Sequence, residues 1–290
     1  MKAPLAAVTM VFNEETFLPA WLRHYGDEIG SANCFVLDHG STDGSTGRAR
    51  AQDASVVRIP RSPQDDGLRC GFVSDFCASL LNWYDAVIYT DVDELLVPDP
   101  ASHASLLTYA AGVGENEVVT ALGFDVVQVP DLEPALDWTG KVAPQRDWLR
   151  FSSAMCKPVL IRRRVAWAPG FHCIDTGPVF SDLFLFHLRY VDLPSGLARL
   201  QRTRKQPWIT PEAGSHQRMP DERWEGMLRG MAALPKRRDV TLTQDDPLLA
   251  EWRGRVLDSS ESRLNALYRI DLHLSGDELW RMPERFRNRF

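Results

Sequence analysis

Three carboxylates stand together where a buried strand ends. In Ala86 to Pro100, AVIYTDVDELLVPDP, the apolar run Ala86 to Tyr89 leads straight into Asp91, Asp93 and Glu94, and a second short apolar run follows until Pro98 and Pro100 stop it. Apolar strands usually end in turn residues rather than in three acids. An extended Asp91-Val92-Asp93 puts both carboxylates on one side of the backbone and Val92 on the other. Two hard oxygen donors there suit a divalent cation such as Mg or Mn, with coordination positions left for phosphate oxygens and water. The competing reading is a solvated turn after a core strand, because D-x-D is a short pattern.

The elements that must position these acids lie mostly upstream. Leu5 to Phe12 is an apolar run broken only by Thr9, as expected for a strand covered on both faces. Asn13 offers a helix cap, and Phe17, Leu18, Trp21, Leu22 and Tyr25 recur at helical spacing. Cys34 to Leu37 is a second strand. It enters the loop DHGSTDGST, from Asp38 to Thr46, ahead of a helix over roughly residues 46–52 and a third strand over Ser55 to Ile59. Past Asp65-Asp66-Gly67, the positions Val73, Phe76, Cys77, Leu80, Leu81 and Tyr84 mark an amphipathic helix that delivers the chain to the Asp91 strand. This alternation predicts an α/β fold, an open and mostly parallel sheet flanked by helices. Ligands bind such sheets beyond the carboxyl ends of the strands, where the strand order reverses, and Asn13, Asp38 and Asp91 all sit just past a strand end.

After Pro100 the pattern loosens. Val118 to Val129, Val159 to Trp167 and Phe184 to Tyr190 read as strands, and from Ser195 onward helices dominate: GLARLQRTRKQ, then Asp221 to Leu234, then two more near the C-terminus. The stretch from Pro207 to Pro220, PWITPEAGSHQRMP, reads as a long lid or binding loop. RMPERFRNRF reads as a basic tail. The expected organisation is one domain over residues 1–194, with a nucleotide-binding half (1–100) and an acceptor half (101–194), followed by a C-terminal helical region (195–290).

Of the 290 residues 44% are hydrophobic and 25% charged, enough for a sizeable core, and 33 basic against 39 acidic residues give a net charge of -6, which argues against general nucleic-acid binding. The apolar N-terminal run reaches Asn13-Glu14-Glu15 without a small-residue cleavage site, and no stretch approaches the roughly 20 apolar residues of a membrane span. Peripheral contact with a membrane stays open. Five scattered cysteines, Cys34, Cys70, Cys77, Cys156 and Cys173, fit reduced core thiols in a cytoplasmic protein.

Taken in order, VTMVFNEETFLPAWLRHY, FVLDHGSTDGST and VIYTDVDELLV closely resemble the N-terminal half of family 2-like glycosyltransferases of the GT-A fold: its N-E opening, its D-x-G-S-x-D-G-T loop and its D-x-D. KPVLIRRRVAWAPGFH and FLFHLRYVD resemble later blocks of a bacterial subset in which the D-x-D is extended to D-V-D-E, so the likeness covers roughly the first two thirds of the chain. The resemblance implies transfer from a nucleotide-sugar, normally with inversion, using a divalent metal. It implies that Asp91 contacts the ribose or the metal, that Asp93 binds the metal, that Asp38 faces the base, and that Phe12, Asn13 and Glu14 line the base pocket. His39 departs from the commonest loop, where a second Asp stands.

The family's later His commonly supplies a third metal ligand, which makes His187 and His172 rival candidates, one for metal and one for diphosphate. Arg189, Arg199, Arg202 and Lys205 are candidates to steady a departing diphosphate, as is Arg69, against the plain reading of a solvated basic helix face. Inversion needs a general base; Asp175, near His172, is the first candidate, with Asp125, Asp131 and Glu133 competing. Glu94 reads as an orienting residue. Trp138, Trp148 and Trp208 either stack on a sugar acceptor or pack satellite cores. The expected activity is metal-dependent transfer from a UDP- or GDP-sugar to a glycan or other hydroxyl acceptor in bacterial glycan or polysaccharide synthesis. A nucleotidyltransferase is the first rival, although NEETF stands where such enzymes carry a glycine-rich basic loop. A non-catalytic nucleotide- or carbohydrate-binding module is the second.

Overall fold

The structure, a computed structural model, describes residues 1–114, 116–214, 217–262 and 267–290. Its first hundred residues follow the expected alternation. Strands β1 (Ala3–Val11), β2 (Cys34–Asp38), β3 (Ser55–Arg58) and β4 (Tyr84–Tyr89) are parallel and stand in the order β3-β2-β1-β4. Along β1 the side chains divide with period two: Leu5, Ala7 and Val11 enter one core with α1 (Phe17–Ile29), while Ala6 and Val8 enter another with α3 (Asp66–Leu80). Helix α2 (Ser45–Ala51) links β2 to β3. The chain walks outward from β1 to β3 and then crosses back to lay β4 on the other side of β1. That reversal opens a crevice beyond the carboxyl ends of β1 and β4.

Beyond Pro98 the sheet becomes mixed. Strand β5 (Glu94–Pro98) leads to α4 (Leu106–Gly112) and to the fully buried β6 (Val118–Val127), which pairs antiparallel with β7 (Trp148–Phe151) and with β8 (Pro158–Ile161). β8 in turn joins β4. Strand β9 (Phe180–His187) is parallel to β6 and antiparallel to β5, in a register that sets His187 beside Asp125 on one side and Glu94 on the other.

The last third supplies the expected helices α5 (Leu193–Lys205) and α6 (Asp221–Ala232), but among the described residues one α-helix, α7 (Pro247–Asp258), stands near the C-terminus where two were expected. It also contributes β10 (Lys236–Arg237) and β13 (Leu279–Arg281) to the main sheet through β7, and a small pair of β11 (Glu261–Ser262) with β12 (Tyr268–Arg269). The change near residue 194 is thus one of composition, not a gap between cores. The terminal residues are not a solvated basic tail. Phe286 and Phe290 are buried, and Phe290 stacks on Phe186 at 4.6 Å. Arg285 pairs with Asp99 at 2.7 Å and Arg287 with Asp147, so the basic residues anchor the segment that the aromatics bury. The run expected as a strand over Val159 to Trp167 stops at Ile161, and residues 162–163 turn away. No described helix is long and apolar enough to cross a membrane. All five cysteines are free and buried.

Candidate active site

The crevice is a cavity of about 710 Å³ that brings together residues from across the chain. Phe12, Asn13 and Glu14 enter from the end of β1, Asp91, Asp93 and Glu94 from the end of β4, Arg69 from α3, His172 from the loop after β8, and His187 and Arg189 from the end of β9. Arg199, Arg202 and Lys205 reach in from α5.

The acidic segment is a turn, not an extended strand. The Glu94 N–H donates to the Asp91 carbonyl at 3.0 Å, and the Asp91 N–H returns to Glu94 Oε2 at 3.0 Å. The expected extended geometry of Asp91-Val92-Asp93 is therefore replaced by a turn, and each carboxylate meets its own cations while both line the cavity. Asp91 pairs with Arg69 and with Lys157 at 3.3 Å, and Tyr89 donates its hydroxyl at 3.2 Å. Asp93 pairs with Arg199 and stands 3.3 Å from His187 Nε2. Burial pushes both carboxyls up, but the Arg69 and Lys157 charges hold Asp91 below the usual range, and Arg199 with His187 holds Asp93 well below it. Glu94 behaves differently. Burial raises it despite Lys157 at 2.5 Å, so it acts as the inner brace of the turn.

His187 sits between two carboxylates. Its Nδ1 donates to Asp125 at 2.7 Å, which fixes the ring and leaves Nε2 facing Asp93. Burial would lower the imidazole, but the Asp125 and Asp93 hydrogen bonds outweigh it and raise it to about 9. Asp93 and His187 suit a divalent cation as a carboxylate oxygen and an oriented imidazole nitrogen in contact. Among the described residues no group of three or more His, Cys, Asp or Glu side chains stands close enough to hold a metal ion. A hard cation held by Asp93 and by His187, once the imidazole gives up its Nε2 proton, would keep its remaining positions for phosphate oxygens and water.

Helix α5 owes its position to Asp192, the last residue of the FLFHLRYVD stretch. Its Oδ2 accepts from the Ser195 N–H at 3.0 Å as the N-cap, while Oδ1 accepts from the Leu136 N–H at 2.9 Å. So anchored, α5 aims Arg199 and Arg202 at Glu14, at 2.9 and 3.4 Å. Burial still raises the Glu14 carboxyl against both charges.

The other expected residues fall in several places. Asp38 is buried beside the cavity, accepts from the Ser41 N–H at 2.7 Å and pairs with Arg58 at 3.0 Å, holding the loop that carries His39. Asn13, with φ of 54°, does not cap α1; Thr16 stands at that position, and Asn13 Oδ1 accepts from the Thr42 N–H at 2.7 Å. Asp175 does not line the cavity. It is exposed and forked to Arg163 at 2.7 and 3.0 Å, so the structure does not bring it to the acids and His172 as expected. The turn at Gly170 (φ 85°) and Phe171 (φ 60°) sends it outward while Phe171 packs on Tyr89 at 4.3 Å. Asp131 is exposed, and Glu133 accepts from the Val129 and Asp147 N–H groups at 2.7 and 2.9 Å. Trp148 is buried, and Trp138 and Trp208 donate to Ser195 Oγ and the Thr203 carbonyl, so all three pack instead of lining the cavity.

His39, of the loop after β2, lines the cavity too, as do Lys157 and Trp224, which the sequence did not single out. A lysine opening an apolar strand was the available signal for Lys157. Part of the expected lid loop roofs the site: the Gln64 N–H donates to the Pro207 carbonyl at 2.8 Å and the Ile209 N–H to the Gln64 carbonyl at 3.0 Å, while residues 215 and 216 of that loop lie outside the described residues.

No protein-family model matches the chain, and no curated protein matches it at significance. Among solved structures, glucosyl-3-phosphoglycerate synthase from Mycobacterium tuberculosis, in complex with Mn2+ and UDP-glucose, is 21% identical over 45% of this chain and 47% of that chain, with a TM-score of 0.29. The same enzyme with Mg2+ and UDP is 19% identical over 58% and 61%, with a TM-score of 0.33. S. aureus TarS is 13% identical over 56% and 47%, with a TM-score of 0.32. The chain spans about half the length of the first of these structures. Scores this low leave fold and activity to be judged on this chain's own residues.

Proposed function

We propose that the protein is a glycosyltransferase that moves a sugar from a nucleoside diphosphate sugar, UDP or GDP, to a hydroxyl acceptor with the help of Mn or Mg, in bacterial glycan or polysaccharide synthesis. The observation that carries this reading is the contact of Asp93 with the Asp125-held His187, at the floor of a cavity beyond the switch in strand order, facing arginines on α5. The order of the sequence motifs supports the same reading. In it Phe12, Asn13 and Glu14 line the nucleotide side, Asp38 supports that wall, and Asp93 and His187 hold the cation, with Asp91 and His172 beside them. The cation supplies charge stabilisation for the departing diphosphate. Arg189, Arg199, Arg202 and Lys205 bind and orient that diphosphate as its charge grows. Placement in the cytoplasm and inversion at the sugar carbon belong to the same proposal.

Calorimetric titration with UDP, GDP and their common sugar conjugates, with and without Mn, tests it against an Asp93→Ala variant. Cation-dependent binding of one nucleotide, lost in the variant, is the expected result. A folded protein that takes up none of them refutes the proposal.

A further inference from the structure

Resting on that reading, we infer that Arg199 competes with a divalent cation for Asp93, and that the exchange turns the Arg199 guanidinium onto the donor diphosphate. Arg199 is a bridge between distant elements. From α5 it sets both terminal nitrogens on Asp93, with Nη2 at 3.3 Å, and its Nε on Glu14 Oε1 at 2.9 Å, so its three nitrogens tie the end of β1 to the turn after β4. Its guanidinium lies over the Phe17 ring at 4.7 Å. Both Asp93 oxygens are thereby engaged, and a double positive charge placed on that carboxylate would repel the guanidinium.

The surroundings allow the exchange at Asp93. The Arg199 side chain keeps 24% of its surface exposed, so the guanidinium has room to leave the carboxylate, and the buried Lys157 stays on Glu94 and Asp91. Arg202 reaches the second oxygen of Glu14, so Glu14 stays compensated when Arg199 turns. Arg199 accordingly acts as a positioning residue for the acid and as a ligand for the phosphates.

The test uses the full chain and Mn2+ alone, followed by the free-ion paramagnetic resonance signal, then UDP at saturating Mn2+. Arg199→Met is expected to bind Mn2+ alone at least about tenfold tighter than the unmodified protein, and to bind UDP at least about tenfold more weakly. Arg202→Met is expected to weaken UDP while moving the affinity for Mn2+ alone by less than about twofold. Circular dichroism checks the fold; if Arg199→Met does not fold, Arg199→Lys, which keeps the charge but loses the fork, is expected to bind Mn2+ alone tighter than the unmodified protein. Affinity for Mn2+ alone that is unchanged or weaker in the folded Arg199 variant overturns the inference. Failure of the functional reading looks different: the unmodified protein then binds no nucleotide, or binds it equally with and without Mn2+, and the exchange falls with it.

Discussion

Lys157→Met isolates what the buried cation does for the acidic turn. Lys157 lies 2.5 Å from Glu94 and 3.3 Å from Asp91, with 5% of its side chain exposed against 2% for Glu94. Methionine keeps the stem and removes the charge, leaving Glu94 buried without its ion-pair partner. Breaking one side of a buried pair costs about 3–5 kcal/mol, a large part of a typical domain's stability. The loss depends on pH with a definite sign. Glu94 already stands above its ordinary value through burial, and without Lys157 its folded-state value rises further. The penalty is therefore small while Glu94 is protonated in both folded and unfolded chains, and grows as pH rises above the unfolded carboxyl value of about 4.3. Urea unfolding at pH 5 and pH 8 reads both quantities. A Lys157→Met, Glu94→Leu double variant is expected to recover most of the loss, since a buried pair replaced by apolar groups of similar volume is often neutral. A single-variant loss below about 1 kcal/mol, or a loss larger at pH 5 than at pH 8, would refute the account of Lys157 as the compensating charge.

His24 is buried, with Nε2 donating to the Leu96 carbonyl at 2.8 Å, and burial pushes it down to about 4. Its folded value is below its unfolded one, so its contribution is complete above pH 6.5 and fades as pH falls towards 4. His24→Gln is expected to lose about 3 kcal/mol less than the unmodified protein between those limits, and parallel stability curves would contradict this. Phe286→Ala removes a fully buried ring seated at 5.3 and 5.5 Å from Phe184 and Phe186, and is expected to cost about 3–5 kcal/mol in denaturant unfolding. A cost within the range of exposed positions would restore the solvated tail that the sequence suggests.

The parallel half was legible because its signals are local. Leu5 to Val11 read as a strand covered on both faces and is one, and the spacing of Phe17, Trp21, Leu22 and Tyr25 marks the buried face of α1. The clustering of Asp91 and Asp93 was equally visible, but the turn that carries them was not, because it is held by Glu94 and by Lys157, 63 residues further on from Glu94. Asp175 misled for a related reason. It stands three residues past His172, but the left-handed backbone just before that histidine takes the chain to the surface. The terminal aromatics were unreadable as core because their partners, Phe184 and Phe186, lie about a hundred residues upstream.

The pairing of β9 with β5 and β6 has a kinetic side. Glu94 meets His187 only after about 90 intervening residues have been looped out, a closure that costs entropy before the contacts repay it. A slip of one residue in that register would point His187 to the opposite face of the sheet. The parallel half carries Glu14, Asp91 and Arg69, whereas the imidazole of His187 and the α5 arginines that face Glu14 come from later in the chain. The side chains of the candidate site are thus brought together by a strand that must find one alignment among its neighbours.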